Sequence, residues 1–463
     1  MPLDLRRSRR AFLEAFGGAA AAVSLAATGA RPSPAQAAAL RPGPLPGRTN
    51  HWYLPARAET VHWGYFSKHL APQLEIASGD LVTVECATHQ ASDDYERMIQ
   101  GDPGLESIYH WTKTEKSVAR RGAGPMHAKV GAGAGWGVHV MTGPIAVRGA
   151  APGDVLEVRI LDMYPRPSGN PRYPNKAFGT NLAANWGFQY HDLIEEPRPR
   201  EVITIYEIDA RGESAWARPV YNYRWLPTRD PSGVVHAIYD YPGIVVDHRD
   251  VHENHGVLRG VRVPIRPHFG NIGLAPREAD MVNSIPPSYT AGNMDDWRIG
   301  KGAVMYYPVS VDGALISMGD THAAQGDSEL SGTAIESSWT GVFQIVLHKA
   351  NALAGTLLQH VNYPLLETQD EWVVHGFSYP NYLATFGASP EEQNKVGESA
   401  SLDKAMRDAF RKMRSLLMNA QHLSEDEAIS LMSVAVDFGV TQVVDGNWGV
   451  HASLKKAVFR QEE

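Results

Sequence analysis

The sequence predicts a mainly β fold, a sandwich or barrel, with a small α-helical region near the C-terminus. Three observations carry this. Gly (43) and Pro (31) are abundant and punctuate the chain with turns. Short runs alternate apolar and polar residues, as Leu156, Val158 and Ile160 do against Glu157 and Arg159. After residue 400 the apolar period changes to that of a helix.

Residues 1–37 are expected to be an export signal. Arg6, Arg7, Arg9 and Arg10 precede an uncharged, Ala-rich stretch from Ala15 to Ala30, and Ala35-Gln36-Ala37 offers a small-x-small cleavage pattern. The stretch Ser8-Arg9-Arg10-Ala11-Phe12-Leu13 matches a twin-arginine signal, with Glu14 where Lys is frequent. An uncleaved anchor is the competing reading; the stretch is short and rich in Gly and Ala for a membrane span. The mature chain is therefore expected to be soluble and periplasmic or secreted, with no membrane association after cleavage. Residues 38–60 follow as an extended, Pro- and Arg-rich arm. Residues 61–463 read as one domain, β-rich to about 390 and helical over 400–440.

Strands are expected over LVTVECAT, led by Gly79-Asp80, and VLEVRILDM, led by Pro152-Gly153-Asp154. The two echo each other, but a turn followed by a strand explains the echo better than a true repeat. Further strands are expected at 201–209, 256–265, 303–311, 314–319 and 340–349. Leu402, Met406, Ala409, Phe410, Met413 and Leu416 fall at helical spacing. A second helix starts at Ser424-Glu425-Asp426-Glu427, a capping box, and should end near Gly439. Both helices read as packing support. The single cysteine, Cys86, excludes an intrachain disulfide and reads as a buried strand residue.

A formal charge of −8 and the lack of a basic stripe beyond the first ten residues exclude a nucleic-acid role. The run GAGAGWG (131–137) lacks the Lys of a phosphate loop, and no G-x-S-x-G elbow or His-Glu-x-x-His occurs. Polar groups gather instead in Gly319–Glu336. Asp320 and His322 stand two apart, so an extended chain points both to one side, where they could share an ion. Asp327 and Glu329 repeat that spacing, and Glu336 adds a carboxylate. An unliganded carboxylate beside such an ion could act as a general base. Spacing alone slightly favours the other reading, a solvated polar loop. Asn293-Met294-Asp295-Asp296 and Thr88–Asp94 are two further polar clusters, the first readable as an Asx turn. His139 reads as a strand histidine.

The order of motifs adds more. Gly319-Asp320-Thr321-His322-Ala323-Ala324-Gln325-Gly326-Asp327 resembles the G-D-x-H-A-x-Q-G-D motif of the acetamidase/formamidase family, and Glu329 and Gly332–Glu336 continue the match. Pro267–Pro276, Gly292-Asn293-Met294-Asp295 and the block from His139 through Thr142-Gly143-Pro144 to GAAPGDVLEV are similar to further family motifs. The likeness runs from about residue 60 to 455. Ser328 stands where many relatives have Gly and Ser331 where several have Cys. The export signal is a third departure, which leaves the physiological substrate open.

The resemblance implies a β-sandwich-like core, hydrolysis of short linear amides to carboxylate and ammonia, and a divalent metal, zinc, with calcium as a further ion. It implies Asp295, Asp320, His322 and His139 as metal ligands. Glu329 and Asp327 are then the proton carriers, and Glu336 orients a ligand. A small-molecule amide is the expected partner, and a homodimer is compatible with the family. Two alternatives stay open: a non-catalytic periplasmic ligand-binding protein on the same fold, and a hydrolase of cyclic amides.

Overall fold

A computed structural model describes residues 41–45, 47–109, 111–112, 117–118, 138–184, 186–190, 193–195, 201–210, 215–225, 228–229, 235–236 and 251–459. The expected export signal and the run 131–137 lie outside the described residues.

Alternation along Val155–Pro165 sends Leu156, Val158 and Ile160 into one contiguous apolar core. Val82 and Val84 of Leu81–Glu85 enter the same core, as do Phe343 and Ile345 of Trp339–His348. From the other side come Phe269, Ile272 and Leu274 of His268–Leu274, with Ile316 and Met318 of Ile316–His322. The first three strands belong to a ten-stranded sheet and the last two to an eleven-stranded sheet. One core fed by two sheets is the sandwich-like arrangement that the turn spacing predicts.

Trp339–His348 is central in the ten-stranded sheet, pairing antiparallel with Leu81–Glu85 and with Val155–Pro165. The two Gly-Asp-led strands therefore flank one strand. Asp80 accepts a hydrogen bond from Ala77 N at 2.9 Å, and Asp154 accepts one from Ala151 N at 2.9 Å. Their echo in the sequence is one turn chemistry used twice. Glu157, expected on a wet face, is buried and paired with Arg159 and, at 2.6 Å, with His348. Its side of the sheet is covered: Val155 packs there with Tyr306, Leu353 and Leu357.

Helix Leu402–Gln421 lies over strands Glu371–Phe377 and Gly449–Lys455. Its buried residues include Ala405, Ala409, Met413, Leu416 and Leu417. Met406, expected on that face, is 40% exposed. The stripe runs through Ala405 because Gly376 brings the strand backbone against the helix, where a Cβ would strike Ala409 N and Ala405 O. Only small residues fit at that approach. Helix Glu425–Ala435 carries the expected capping box of Ser424 and Glu427.

Three expectations are corrected. The second helix stops at Ala435, and Val436–Gln442 is a strand antiparallel to Gly449–Lys455. Val436, Phe438 and Val440 at period two favour the sheet. In the run 256–265 only Val263–Pro264 is strand. Leu258 (φ 45°) and Gly260 (φ 81°) take left-handed turn conformations, and Leu258 and Val261 face solvent rather than a core. The arm is part of the sheet, because His51–Leu54 pairs in parallel with Leu81–Glu85 and Gly43–Pro44 pairs with it in turn.

Candidate metal centre

Sheet register builds the first row of the site. His322 ends the strand Ile316–His322, with His268 opposite it on one neighbour and Glu336 opposite on the other. Directly opposed residues project from the same face, so the three side chains meet. Asp320 stands two residues before His322 on the same strand. Four other segments converge on this row. His89 comes from beyond Leu81–Glu85, and His139 from just before Val140–Val147. Asp295 follows Ala291–Asn293, and Glu329 sits in the loop after the strand. Asp295, Asp320 and Glu329 have φ of 50°, 50° and 47°. This left-handed backbone is uncommon outside Gly, though Asp tolerates it better than most.

The donor atoms are close and buried. His322 Nε2 lies 3.2 Å from Glu336 Oε2 and 3.5 Å from Asp320 Oδ2. Asp320 also faces His89 Nδ1 at 3.3 Å and His139 Nε2 at 3.5 Å. His322 Nδ1 lies 3.9 Å from Asp295 Oδ1. Three overlapping groups present donors within 4.8 Å of one another: His89, His139 and Asp320; Asp295, His322 and Glu329; and Asp320, His322 and Glu336. The floor is Gly270, where a Cβ would sit 2.5 Å from Asp295 Oδ1 and His322 Cε1 and 2.8 Å from Asp320 Oδ2. No side chain fits there.

Electrostatics separate these groups. Burial raises the Asp295 carboxyl well above its ordinary range, and the charges of Glu329 and Asp445 add to this. Burial and then Asp445 raise Glu329 in the same way, and burial raises Glu336. Burial, the largest influence, pushes Asp445 up to about 7. Burial opposes charge on Asp320 too, but His139 and His322 outweigh it and hold that carboxyl well below its range. Burial likewise opposes charge on His322, and Glu336 with Asp320 outweigh it and hold the imidazole well above its usual value. His139 is lowered to about 4 by burial.

Asp295 Oδ1 and Oδ2, Asp320 Oδ1, Glu336 Oε2 and His322 Nε2 are all buried without a well-formed hydrogen bond. Such atoms are costly unless something compensates them. Five carboxyl groups and three facing imidazoles make a set of mixed N and O donors that could hold a divalent cation.

Six of the seven residues singled out from the sequence meet here: His139, Asp295, Asp320, His322, Glu329 and Glu336. Asp327 does not. Its side chain is 49% exposed, accepts a hydrogen bond from Trp297 Nε1 at 2.8 Å and pairs with Arg298 at 3.6 Å. The left-handed turn at Ser328 (φ 80°) and Glu329 breaks the alternation, so Glu329 goes in and Asp327 goes out. His89, His268, Gln325 and Asp445 were not selected. His89 belongs to the polar cluster Thr88–Asp94 and Gln325 to the motif, so both carried a signal. Asp445 carried none. It is delivered because Val443 N donates to Ser328 O at 3.1 Å, which ties its loop to that of Glu329.

Fold and site thus define a β-sandwich-like protein with a buried centre of His and carboxylate donors. The chain belongs to the Acetamidase/Formamidase family, whose pattern it matches over residues 136–284 and 277–461. It is similar to an acetamidase of Mycolicibacterium smegmatis, 29% identical over 211 residues, or 42% of this chain and 49% of that protein. A formamidase of Methylophilus methylotrophus is 27% identical over 216 residues, or 42% of this chain and 47% of that protein. The chain spans about half the length of the curated relatives it matches. Among solved structures, an acetamidase from Bacillus halodurans superposes with a TM-score of 0.56 at 23% identity, covering 88% of this chain and 98% of that one. An acetamidase from Yersinia enterocolitica superposes with a TM-score of 0.58 at 21% identity, covering 91% and 96%. At these identities the two structures establish the fold.

Proposed function

We propose that the chain is a metal-dependent amidase that hydrolyses short linear amides, of the acetamide and formamide kind, to a carboxylate and ammonia. The observation that carries this is the surplus of buried, uncompensated carboxylate around His322, in a member of this family. Asp320, His322, Asp295 and His139, joined by His89, would hold a zinc-class ion. When bound, such an ion supplies Lewis-acid polarisation.

The chain's own residues supply the proton handling. Amide nitrogen is a poor leaving group, so it must be protonated as it departs. Glu329 suits this, because burial and then Asp445 hold its carboxyl well above its range. A carboxyl with raised proton affinity suits a group that takes the proton of the attacking water and returns it to the departing nitrogen. Glu336 accepts from Ala334 N through Oε1 at 2.9 Å, which leaves Oε2 turned to His322 Nε2. Glu336 Oε2 and His322 Nε2 would then both face the ion. Asp327, held at the surface by Trp297 and Arg298, has no part in this scheme.

The test is ammonia release from formamide, acetamide and propionamide, with and without a chelator. Turnover by zinc-loaded protein, abolished by chelation and restored by metal, is expected. Metal-loaded protein that turns over none of the three would sink the proposal, and a lactam panel run in parallel would expose a cyclic-amide hydrolase.

A further inference from the structure

We propose that Gln325 is the positioning residue of this centre: its carboxamide ties His322 to Asp295 and, together with His268, selects which nitrogen of His322 faces the cation. The inference rests on the metal-amidase reading above.

Gln325 is 5% exposed. Its Nε2 donates to Asp295 O at 2.6 Å, and its Oε1 lies 3.0 Å from His322 Nδ1. His268 Nε2 is 3.0 Å from both His322 Nδ1 and Gln325 Oε1. These three atoms form a close triangle, and the hydrogen positions follow from what surrounds it. His268 Nδ1 lies 2.6 Å from Arg266 O, and a carbonyl can only accept. In the neutral ring the hydrogen is therefore on Nδ1, and Nε2 of His268 is a lone pair. Gln325 cannot turn its carboxamide over, because its NH2 is committed to Asp295 O. Its Oε1 is then a second acceptor.

Two acceptors converge on His322 Nδ1, so in the neutral ring, the form that can bind a cation, that atom carries the hydrogen. Nε2 is left bare, and it faces Glu336 Oε2 and Asp320 Oδ2. The same carboxamide restrains the carbonyl of Asp295, whose own φ of 50° is left-handed. One side chain thus sets the tautomer of one ligand and the backbone of another from a different segment. Outer partners of this kind typically change metal affinity by about 10–100-fold when removed.

The experiment titrates the metal-free full chain with cobalt(II), reading affinity by chelator competition and geometry by the visible cobalt bands. Gln325→Met keeps the length but removes donor and acceptor. We expect about 10–100-fold weaker cobalt binding and altered bands. Gln325→Glu keeps the acceptor for His322 but has no donor for Asp295 O, so a smaller loss with less altered bands is expected. Asp102→Asn, which lowers stability away from the centre, serves as a control that should keep wild-type bands. A Met variant with wild-type affinity and bands overturns the clamp. Should that variant not fold, a Glu variant with wild-type affinity does the same. A wild-type chain that takes up no cobalt removes the metal reading itself, and the clamp falls with it.

Discussion

At the residue scale the centre depends on what is missing at Gly270 as much as on what is present. Gly270→Ala would place a methyl group 2.5 Å from Asp295 Oδ1 and from His322 Cε1. Overpacking of this kind costs about 1–3 kcal/mol, and here the strain falls on two of the proposed ligands. The expected outcome is a lower urea midpoint together with at least about a tenfold loss of zinc affinity, since tenfold is only about 1.4 kcal/mol. Both are read by unfolding and by metal competition, and unchanged zinc binding would sink the idea. Most of the centre was legible in the sequence, because Asp320 and His322 sit at strand spacing inside an ordered motif. What was not legible is long-range delivery. His89 is 231 positions from Asp320 and meets it at 3.3 Å only through the packing of two sheets. Asp327 and Glu329 look alike in sequence, and a left-handed turn sends them to opposite environments.

At the element scale helix Leu402–Gln421 is joined to the sheet by its apolar stripe and by a buried ion pair within the helix that hydrogen-bonds the strand backbone. Lys412 Nζ pairs with Asp408 at 2.6 Å and donates to His375 O at 2.7 Å, while Asp408 accepts from Phe377 N at 2.9 Å. His375 reaches on to Asp296 at 2.9 Å, next in sequence to Asp295. Removing one partner of a buried pair costs about 3–5 kcal/mol, because the other is left charged and dry. Lys412→Met should therefore destabilise by about that amount, and adding Asp408→Asn should recover part of it. A double-mutant cycle in urea that shows simple additivity would refute the coupling. The two helices were legible from their period and capping box. The exact face was not, because it depends on Gly376, a residue of another strand. The end of the second helix was lost for a related reason: the strand Gly449–Lys455 offers Val436–Gln442 a ladder that local propensity does not reveal.

At the scale of the whole molecule a second buried network, away from the candidate metal centre, ties strands of the ten-stranded sheet to the helix that starts at Pro103. Arg166 contacts Asp102 at 2.6 and 2.8 Å and Glu85 at 2.6 Å, and Tyr53 donates to Glu85. Burial alone would raise the Asp102 carboxyl, but Arg166 outweighs it and holds the carboxyl below its ordinary range. A depressed carboxyl contributes stability that is complete above the unfolded value, about 3.9, and is lost as pH falls through the folded value. Asp102→Asn should therefore cost about 3–5 kcal/mol at pH 7. That gap should narrow only below about pH 4. Urea unfolding across a pH series checks this, and a gap that closed already between pH 7 and 5 would contradict it. The burial of the metal centre has a consequence in time rather than in energy. His89, His139, Asp320, His322 and Glu336 are each 4% exposed or less, so an ion held among them would be largely shielded from solvent. It would leave when a neighbouring segment moves, and the loop of Glu329, left-handed at both Ser328 and Glu329, is one such segment. Removal by a chelator should then proceed at the rate of that opening. It should level off as chelator concentration rises, and stopped-flow measurements would show whether the residence time of the ion is set by the protein's own breathing.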